Sequence, residues 1–335
     1  MTLSQVPGFR VGHAEVPGGG SGCTVILGPF RGAVEVRGLA SGSREMGALS
    51  PDHLVEGMDA ILLTGGSAFG LAAADGVMGW LEERGRGFDT GVATVPLVPA
   101  AVIFDLAPGR ARPGAAEGRA ACDAACEEPV PQGRVGAGAG ATVGKVLGPG
   151  GASAGGLGSV SRLWRGHRVG ALAVVNALGD VVGTGGEILA GARGADGGHL
   201  QTDSHLLEGR GPGEFAGAGS GEEENPETGP LLGSNTTLVV LGTDLPLSRV
   251  ELGRLARMAS GGFPRAISPV NTPFDGDVLF ALSSGEHAGS LSPGEMLALG
   301  VVARTVTEEA IRQAVTAGSG DSKNGNSMTA EGKDG

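Results

Sequence analysis

The length, composition and charge of the chain limit the classes of protein that it can form. Its 335 residues carry a formal net charge of -12 and include 66 Gly, 9 Phe and 2 Trp but no Tyr. Nucleic-acid binding usually needs a clustered basic surface, so we expect no nucleic-acid partner. The core must be built mainly from Ala, Val and Leu, which favours close contacts between helices and sheets.

The sequence also lacks the usual signals of membrane insertion and export. No apolar run reaches the ~18 to 20 residues that a spanning helix needs. The first residues do not show the basic and apolar regions of a signal peptide. We therefore expect a cytoplasmic enzyme with no membrane partner.

Two short strands are predicted near the amino terminus. Residues 9–13 and 23–27 are apolar segments separated by a Pro/Gly turn. His13 lies in the first segment and has no evident partner nearby in the sequence. We interpret it as a structural residue at a strand end.

A glycine-rich turn follows a third predicted strand. Residues 59–64 form an apolar segment that leads through two glycines into a predicted helix over residues 71–84. Ser67 is placed as the N-cap of that helix. A Gly-x-Ser-x-Gly nucleophile elbow would need a second glycine where Phe69 stands, so we interpret Ser67 as a cap.

The three cysteines do not predict a metal site. Cys23, Cys122 and Cys126 make no zinc-binding pattern with the six histidines. Cys122 and Cys126 lie four residues apart in an Ala-rich segment that predicts a helix. A redox pair or a metal ligand is the alternative, but small buried residues on a helix face are the favoured interpretation.

The glycine-rich segment 133–145 resembles a phosphate-binding loop only superficially. A Walker loop would need Gly at Ala139 and Ser or Thr at Val146. The dinucleotide fingerprint also lacks an acidic ribose partner about 20 residues further on. We therefore expect no nucleotide cofactor.

A buried strand and a long polar arm follow. Residues 169–179 are typical of a buried strand, which ends at Asn176. Residues 191–233 are rich in Gly, Glu, Asp and Pro and have little apolar content. This composition predicts a solvent-exposed arm.

The arm leads to a candidate nucleophile at the start of another strand. Asn235 and Thr236 immediately precede an apolar run over residues 238–241. A threonine hydroxyl at a strained junction can attack the carbonyl before it, and hydrolysis of the resulting ester leaves threonine as a new N-terminus. The freed α-amine has a reference pKa of about 7.7 to 8.0 and can act as the base. The hypothesis is self-cleavage between Asn235 and Thr236.

A pair of carboxylates lies about 40 residues after the candidate nucleophile. Asp275 and Asp277 flank Gly276, and alternate residues of an extended segment point the same way, so both carboxylates can face one site. There they can hold an ammonium group or relay its proton. An ordinary turn or a cation-binding loop is the alternative interpretation.

The remainder of the chain predicts two helices and a tail. Residues 248–260 and 293–315 have the apolar spacing of amphipathic helices, to which Val250 and Leu297 contribute. Residues 318–335 are polar, and we expect them to be disordered.

The order and spacing of these motifs resemble the autoproteolytic L-aminopeptidase/D-esterase family. That family includes β-peptidyl aminopeptidases and the nylon-oligomer (6-aminohexanoate oligomer) hydrolases, and the resemblance is closest to the nylon-oligomer branch. The segments that carry it are Asn235-Thr236-Thr237, Thr243-Asp244, Leu255-Ala256 with Met258, Arg265-Ala266-Ile267, and Asp275-Gly276-Asp277 before Leu279-Phe280-Ala281.

The resemblance implies a fold and an assembly. The expected fold is α/β, a four-layer αββα sandwich similar to N-terminal-nucleophile hydrolases, in one domain over residues 1–317. Self-cleavage would divide the chain into an α part, residues 1–235, and a β part, residues 236–335. Members of the family form dimers or tetramers, so we expect a homodimer or homotetramer.

The resemblance also implies roles for residues outside the central segment. Lys145 corresponds to an active-site cation, and Asn176 to a donor for the oxyanion, a contact worth a few kcal/mol in the transition state. The turn at Gly65 and Gly66 is expected close to the substrate pocket. Phe104 replaces the family's tyrosine, so the hydroxyl that stabilises the oxyanion cannot be carried over.

The predicted function is that of a self-processed N-terminal-threonine hydrolase without a cofactor. Its substrates would be short peptides, β-peptides, or unusual amides and esters. One alternative is acyl transfer, as in the distantly similar ornithine acetyltransferases. The other is an unprocessed, ligand-binding relative without catalysis, which the Phe104 replacement favours.

Overall fold

The computed structural model describes residues 1–210, 235–286 and 290–317. The predicted tail, residues 318–335, and the last part of the predicted arm, residues 211–233, lie outside the described residues. Within the described part, none of the helices combines the length and apolar character that crossing a membrane requires.

The strands and helices are numbered here in chain order. The strands are β1 (Arg10–Glu15), β2 (Gly22–Val36), β3 (Ser43–Arg44), β4 (Gly57–Thr64), β5 (Phe88–Asp89), β6 (Thr94–Val95), β7 (Ala100–Val102), β8 (Thr142–Val143), β9 (Ser153–Ala154), β10 (Gly156–Trp164), β11 (His167–Asn176), β12 (Asp180–Val182), β13 (Ile188–Ala190), β14 (Thr236–Thr243), β15 (Ile267–Ser268) and β16 (Val278–Ser283). The helices are α1 (Ala73–Glu82), α2 (Ala115–Asp123), α3 (Thr202–Leu207), α4 (Arg249–Ala259), α5 (Phe263–Ala266) and α6 (Pro293–Thr316).

One long strand connects two halves of a nine-stranded sheet. The strand order is β10-β11-β14-β16-β2-β4-β7-β3, with β1 paired to β2. The first part of β2 pairs with β1 and β4, and its last part pairs with β16. The strand therefore belongs to both halves.

Side chains alternate between the two faces of each sheet half. In β11, Leu172 packs in the cluster between the halves, whereas Ala173 packs in the cluster that contains residues of α4 and α6. In β4, Ile61 faces the same central cluster, whereas Leu62 packs against α1 and α2. Because strands present alternate residues to opposite faces, this pattern gives the layers helix, sheet, sheet, helix. The predicted four-layer αββα fold is confirmed.

Small residues let these layers approach closely, as the composition predicts. A Cβ added to Gly76 in α1 would collide with the carbonyl oxygen of Ala115, at the start of α2. A Cβ added to Gly118 in α2 would collide with the carbonyl oxygen of Ala73 in return. The two helices therefore pack backbone to backbone, which only glycine permits at these contacts.

The two predicted amphipathic helices form near the expected positions because their first turns are capped. Ser248 accepts a bond from the Glu251 N–H, and the Glu251 side chain accepts one from the Ser248 N–H. Ser292 makes the same reciprocal cap at α6, where Pro293 occupies the first turn. The prediction that Val250 and Leu297 belong to the apolar inner faces is wrong, since they are 52% and 62% exposed.

Ser67 is not the cap of α1, so that prediction is wrong. A short 3-10 turn begins at Ser67, and α1 starts only at Ala73, without a side-chain cap. Ser67 has a φ of 52°. Its N–H donates to the Ile103 carbonyl at 3.0 Å. This contact with a distant segment stabilises the 3-10 turn, so the α-helix does not begin at Ser67.

The prediction for Cys126 is also wrong, whereas Cys122 is buried in α2 as expected. Cys126 is exposed and lies beyond the end of α2. Its N–H donates to the Val11 carbonyl and its carbonyl accepts from the Val11 N–H. Because Cys126 pairs with the open edge of β1, the chain is extended at this residue and α2 ends before it.

The described part of the polar arm, residues 191–210, is mostly exposed but is anchored at one carboxylate. Asp180 accepts bonds from the N–H groups of Ala192 and Thr202 and from the Thr202 hydroxyl. The helix α3 begins at this second anchor. The arm is thus tied to the sheet below it before it reaches the segment outside the described residues.

Candidate active site

The pairing of β14 with two neighbours assembles the site at the start of that strand. The antiparallel register with β11 places Asn176 opposite Thr236. The parallel register with β16 pairs Leu238 with Val278, and an isolated bridge pairs Asn235 with Asp275 at the same offset. Thr236 therefore lies between Asn176 on one side and the Asp-Gly-Asp segment on the other.

The hydroxyl of Thr236 lies against the carbonyl of the peptide bond that precedes it. Its Oγ1 donates to the Asn235 carbonyl oxygen at 2.6 Å, and the Gly276 N–H donates to the same oxygen at 2.8 Å. A Cβ on Gly276 would lie 2.9 Å from Thr236 Oγ1. The absence of a side chain at Gly276 therefore leaves room for the Thr236 hydroxyl, and the Gly276 N–H polarises the Asn235 carbonyl.

Each carboxylate of the Asp-Gly-Asp segment is oriented by backbone N–H groups. Asp277 accepts from the Thr237 N–H at 2.6 Å and from the Asn271 N–H at 3.2 Å. Asp275 accepts from the Thr272 N–H at 2.8 Å and from the Thr272 hydroxyl at 2.7 Å. Both side chains are buried. The two carboxylates are thus fixed just before β16, the strand that pairs with the strand of Thr236.

Burial shifts the pKa values of three ionisable groups at the site. It lowers the pKa of Lys145 to about 7, while Asp275 and Asp105 oppose that shift. Burial, and next the neighbouring Asp275, raises the pKa of Asp277 to about 8. Burial also raises the pKa of Asp275 above its usual range. The pKa values of Lys145 and Asp277 therefore lie near neutral pH, and shifts of this kind are common at functional sites.

Asn176 and Lys145 connect the nucleophile to two other segments. The Lys145 ammonium donates to the Asn176 carbonyl at 3.0 Å. The Asn176 side-chain amide donates to the Phe104 carbonyl at 3.2 Å, and its oxygen accepts from the Thr142 N–H at 3.0 Å. The structure therefore brings together the predicted residues Thr236, Asn176 and Lys145, together with the two carboxylates.

A pocket of about 220 Å³ opens beside Thr236. Its lining residues are mostly small and uncharged: Ala40, Ser41, Gly42, Ser67, Ala68, Val102, Phe104 and Thr236. The two glycines predicted to line a pocket, Gly65 and Gly66, are buried just before the wall residues Ser67 and Ala68. The Gly66 N–H donates to the Asp105 carboxylate at 2.7 Å. This bond holds the glycine turn in place and so stabilises the wall residues that follow it.

Three parts of the site were missed by the sequence reasoning. The first is the Gly276 N–H, although the glycine lies inside the motif that was singled out. The second is the wall over residues 40–42, which is tied down when the Ala40 N–H donates to the Asp275 carbonyl. The third is Asp105, a buried carboxylate whose pKa is raised by burial. Gly276 carried a signal in the sequence, because it is the central residue of the Asp-Gly-Asp motif, and a side chain there would press against Thr236 Oγ1 and the Ala40 carbonyl oxygen.

His13 takes no part in this cluster. It lies inside β1 instead of at the strand end, and its Nδ1 is 2.9 Å from the Thr24 hydroxyl. Burial lowers the pKa of His13 to about 4, so it is neutral at physiological pH. Within the described ranges, no group of three His, Cys, Asp or Glu side chains has the arrangement needed to hold a metal ion.

A hydroxyl held against a polarised carbonyl, at the start of a central strand of an αββα sandwich, is the arrangement of an N-terminal-nucleophile type of hydrolase. The chain matches the profile of peptidase family S58 over residues 2–327, and it belongs to that family. It is therefore a hydrolase that acts on amide bonds.

Curated relatives match most of the chain. An uncharacterised aminopeptidase of Mycobacterium tuberculosis is 40% identical over 329 residues, which is 91% of this chain and 88% of the relative. An uncharacterised aminopeptidase of Mycobacterium leprae is 38% identical, over 92% of this chain and 85% of the relative. A 6-aminohexanoate-oligomer endohydrolase of Kocuria sp. is 34% identical, over 92% and 84%.

Solved structures share the fold. The β-aminopeptidase of a Burkholderia species superposes with a TM-score of 0.64 at 21% identity, over 93% of this chain and 85% of that one. The L-aminopeptidase D-Ala-esterase/amidase of Ochrobactrum anthropi, described as a variant of the Ntn hydrolase fold, superposes with a TM-score of 0.63 at 20% identity and the same coverage.

Proposed function

We propose that the protein cleaves its own Asn235–Thr236 bond and that Thr236 then hydrolyses small amides as an N-terminal nucleophile. The observation that carries this proposal is the position of Thr236 Oγ1, 2.6 Å from the oxygen of the bond to be cut, with the Gly276 N–H on the same oxygen. A nucleophile held beside a polarised carbonyl is the arrangement that acyl transfer requires.

Self-cleavage proceeds in two acyl-transfer steps. Thr236 Oγ1 loses its proton and attacks the Asn235 carbonyl carbon, and the Gly276 N–H stabilises the negative charge on the carbonyl oxygen. The C–N bond breaks, the nitrogen takes up a proton, and an ester joins Asn235 to the Thr236 side chain. Water then hydrolyses the ester, leaving a carboxylate on Asn235 and a free α-amine on Thr236.

The processed site uses the same groups for turnover. The Thr236 α-amine accepts the hydroxyl proton as Oγ1 attacks the substrate carbonyl, and it returns the proton to the leaving amine. Asp275 and Asp277 hold the ammonium form in place. Asn176 donates to the oxyanion, and Lys145 balances the charge of the two carboxylates. Water hydrolyses the acyl-threonine ester and completes the cycle.

The substrates we propose are short peptides, β-peptides, or unusual amides and esters. The pocket of about 220 Å³ is small for a ligand site, and its uncharged walls suit a compact acyl group. The names of the relatives, aminopeptidase and 6-aminohexanoate-oligomer endohydrolase, support amide bonds of short chains.

Denaturing electrophoresis with intact-mass measurement tests the proposal without a known substrate. Purified protein should separate into two fragments, one ending at Asn235 and one beginning at Thr236. Thr236→Ala should stay whole, and Thr236→Ser should still be cut, because serine retains the hydroxyl.

Thr237→Ala is the matched control for this experiment. Thr237 is also buried, and the variant keeps the backbone N–H that donates to Asp277 at 2.6 Å. It should be cut at the same bond as the wild type. Wild-type protein that stays intact after long incubation, or a Thr236→Ala variant cut at this bond, would contradict the mechanism.

A further inference from the structure

Arg112 lies close to the wall of the Thr236 pocket, against the residue that follows that wall in the chain. Ala68 forms part of that wall, and the next residue, Phe69, is 62% exposed. The guanidinium carbon of Arg112 lies 4.1 Å from the centre of the Phe69 ring. A Cβ on Gly66 would lie 3.2 Å from the Arg112 Cβ and equally far from Pro113. Arg112 is therefore held against the turn that builds the pocket wall.

The binding edge of this guanidinium is available. Stacking occupies the flat face of the group, and the N–H donors point outward in its plane. In the part of the chain that the structure describes, Arg112 has its ring contact with Phe69 but no hydrogen bond or ion pair. Its guanidinium is therefore positioned but not neutralised by a neighbouring carboxylate.

A second hollow, of about 460 Å³, adjoins the same arginine. It is lined by residues 106–109 together with Arg110 and Arg112. The Arg110 guanidinium donates to the Asp105 carbonyl at 2.6 Å, which fixes this group next to the segment that supports the pocket wall. In a chain with a net charge of -12, two arginines lining one hollow concentrate positive charge there, which attracts anions.

We propose that Arg112 binds the carboxylate of the substrate's leaving group. This inference rests on the proposed hydrolase function of Thr236. A guanidinium and a carboxylate form a planar, two-bond pair, so Arg112 would orient a short chain with its amide towards Thr236 and its free C-terminus at the rim. The preferred substrates are then short amino-acid oligomers with a free terminal carboxylate, in preference to their amides or esters.

The test compares two substrates that differ only at this terminus, a linear 6-aminohexanoate trimer and its C-terminal carboxamide. Arg112→Gln should raise KM for the carboxylate by roughly 5- to 20-fold and leave its kcat within about 2-fold, since an ion pair at a partly exposed site is worth that much in binding. Both constants for the carboxamide should stay unchanged. Arg112→Lys, which keeps the charge but loses the planar fork, should fall between the two.

Arg165→Gln is the matched control. Arg165 is also stacked on an aromatic ring, that of Trp164, but it lies at the far end of β11 from Asn176. The Arg165→Gln variant should change neither KM nor kcat for either substrate. An Arg112→Gln variant that affects both substrates equally, or neither, would overturn the carboxylate subsite.

Binding separates this inference from the proposed function. Calorimetry on the wild-type protein should show tighter binding of 6-aminohexanoate, the leaving amino acid, than of 6-amino-1-hexanol, which lacks the carboxylate; neither has an amide bond to be cut. Arg112→Gln should remove this difference. If the wild-type protein hydrolyses neither the trimer nor its carboxamide but this preference is present, the proposed function fails on these substrates while the subsite stands. Equal affinities of the two amines for the wild-type protein would refute the subsite whatever the turnover.

Discussion

Phe104 illustrates how a single side chain can set the rate of this site. Its ring lines the same pocket as Thr236, and it offers no hydrogen-bond donor. Its own carbonyl accepts one amide hydrogen of Asn176 at 3.2 Å. That bond orients Asn176 but also uses part of its donor capacity. A hydroxyl at position 104 would add a donor on the pocket side.

We expect Phe104→Tyr to raise kcat on a small amide or ester by roughly 10-fold or more, with little change in KM. The reason is that one oxyanion donor typically contributes ~2.7 to 4 kcal/mol to the transition state, or roughly 10² to 10³ in rate. The measurement is kcat, KM and Tm of the fully processed variant, with Phe88→Tyr at a more exposed position as the control. An unchanged kcat in a stable variant would contradict the hypothesis that the site lacks an oxyanion donor at position 104. A lowered Tm would indicate an unsatisfied buried hydroxyl.

Two separate segments supply the buried ionisable groups, so the proton balance of the site is a property of how elements pack. Lys145 follows β8, whereas Asp275 and Asp277 precede β16. The pKa of Lys145 is lowered to about 7 and that of Asp277 is raised to about 8, both chiefly by burial. Either group can accept the Thr236 proton only in its deprotonated form. The deprotonated fractions of both groups increase as pH rises through this range.

Self-cleavage should therefore be slow near pH 6 and accelerate as pH rises through about 7 and 8. Uncut precursor would be prepared at low pH and transferred to buffers at a series of pH values. Denaturing gels would then give the rate of self-cleavage at each pH. Asp277→Asn should slow cleavage, and the remaining pH dependence should move towards the lower midpoint of Lys145.

A chelator serves as the control for the same experiment. If the carboxylates act on Thr236, chelation leaves the cleavage rate unchanged. Loss of cleavage in a chelator with rescue by a divalent ion would support a metal site instead. A rate that is flat or falls between pH 6 and 8 would contradict the proton-acceptor role.

Local patterns predicted the strands and the two helices near the carboxyl terminus, because each of them depends on residues close in sequence. The apolar run after Thr236 predicted β14, and the strand end at Asn176 was correct. The register that places Asn176 opposite Thr236, and the Gly276 N–H on the Asn235 carbonyl, depend on pairing between distant strands. A single strand carries no information about its partner, so these contacts could not be derived from spacing.

Tertiary contacts also explain the local errors. Ser67 satisfies the sequence pattern of a cap, but its N–H binds the Ile103 carbonyl and the chain turns with a positive φ. Cys126 continues the helical spacing of Cys122, but β1 pairs with it. In both cases a hydrogen bond to a distant strand decides the conformation that the local pattern left open.

At the scale of the whole molecule, periodicity alone could not distinguish two packed sheets from one. Strands covered on both faces read as continuous apolar runs, as residues 238–241 do, so they carry no inward or outward side. The resemblance to a known family supplied the layering. The alternation of Leu238 and Val240 towards the other sheet half, and of Val239 and Leu241 towards α4 and α6, confirms it.

The outer helical layer exposes an apolar face that has no role within the described chain. Val250 of α4 and Leu297 and Val301 of α6 are 52%, 62% and 45% exposed. Leu297 and Val301 are four residues apart and lie on one side of the helix. A hollow of about 330 Å³ between the helices is lined by Arg254, Met258, Leu291, Pro293, Met296 and Leu297. Exposed apolar patches of this kind are typical of protein interfaces.

We expect the protein to form a homodimer or homotetramer that buries this face against a second copy. Light scattering coupled to size-exclusion chromatography should give a mass of two or four chains for the wild type. Leu297→Glu should lower that mass, because it places a charge in the apolar contact. Val92→Glu, at a position that is 96% exposed in the β5–β6 turn, should leave the mass unchanged and serves as the control. A monomeric wild-type protein would refute the assembly, and an unchanged oligomer in Leu297→Glu would show that another surface holds the copies together.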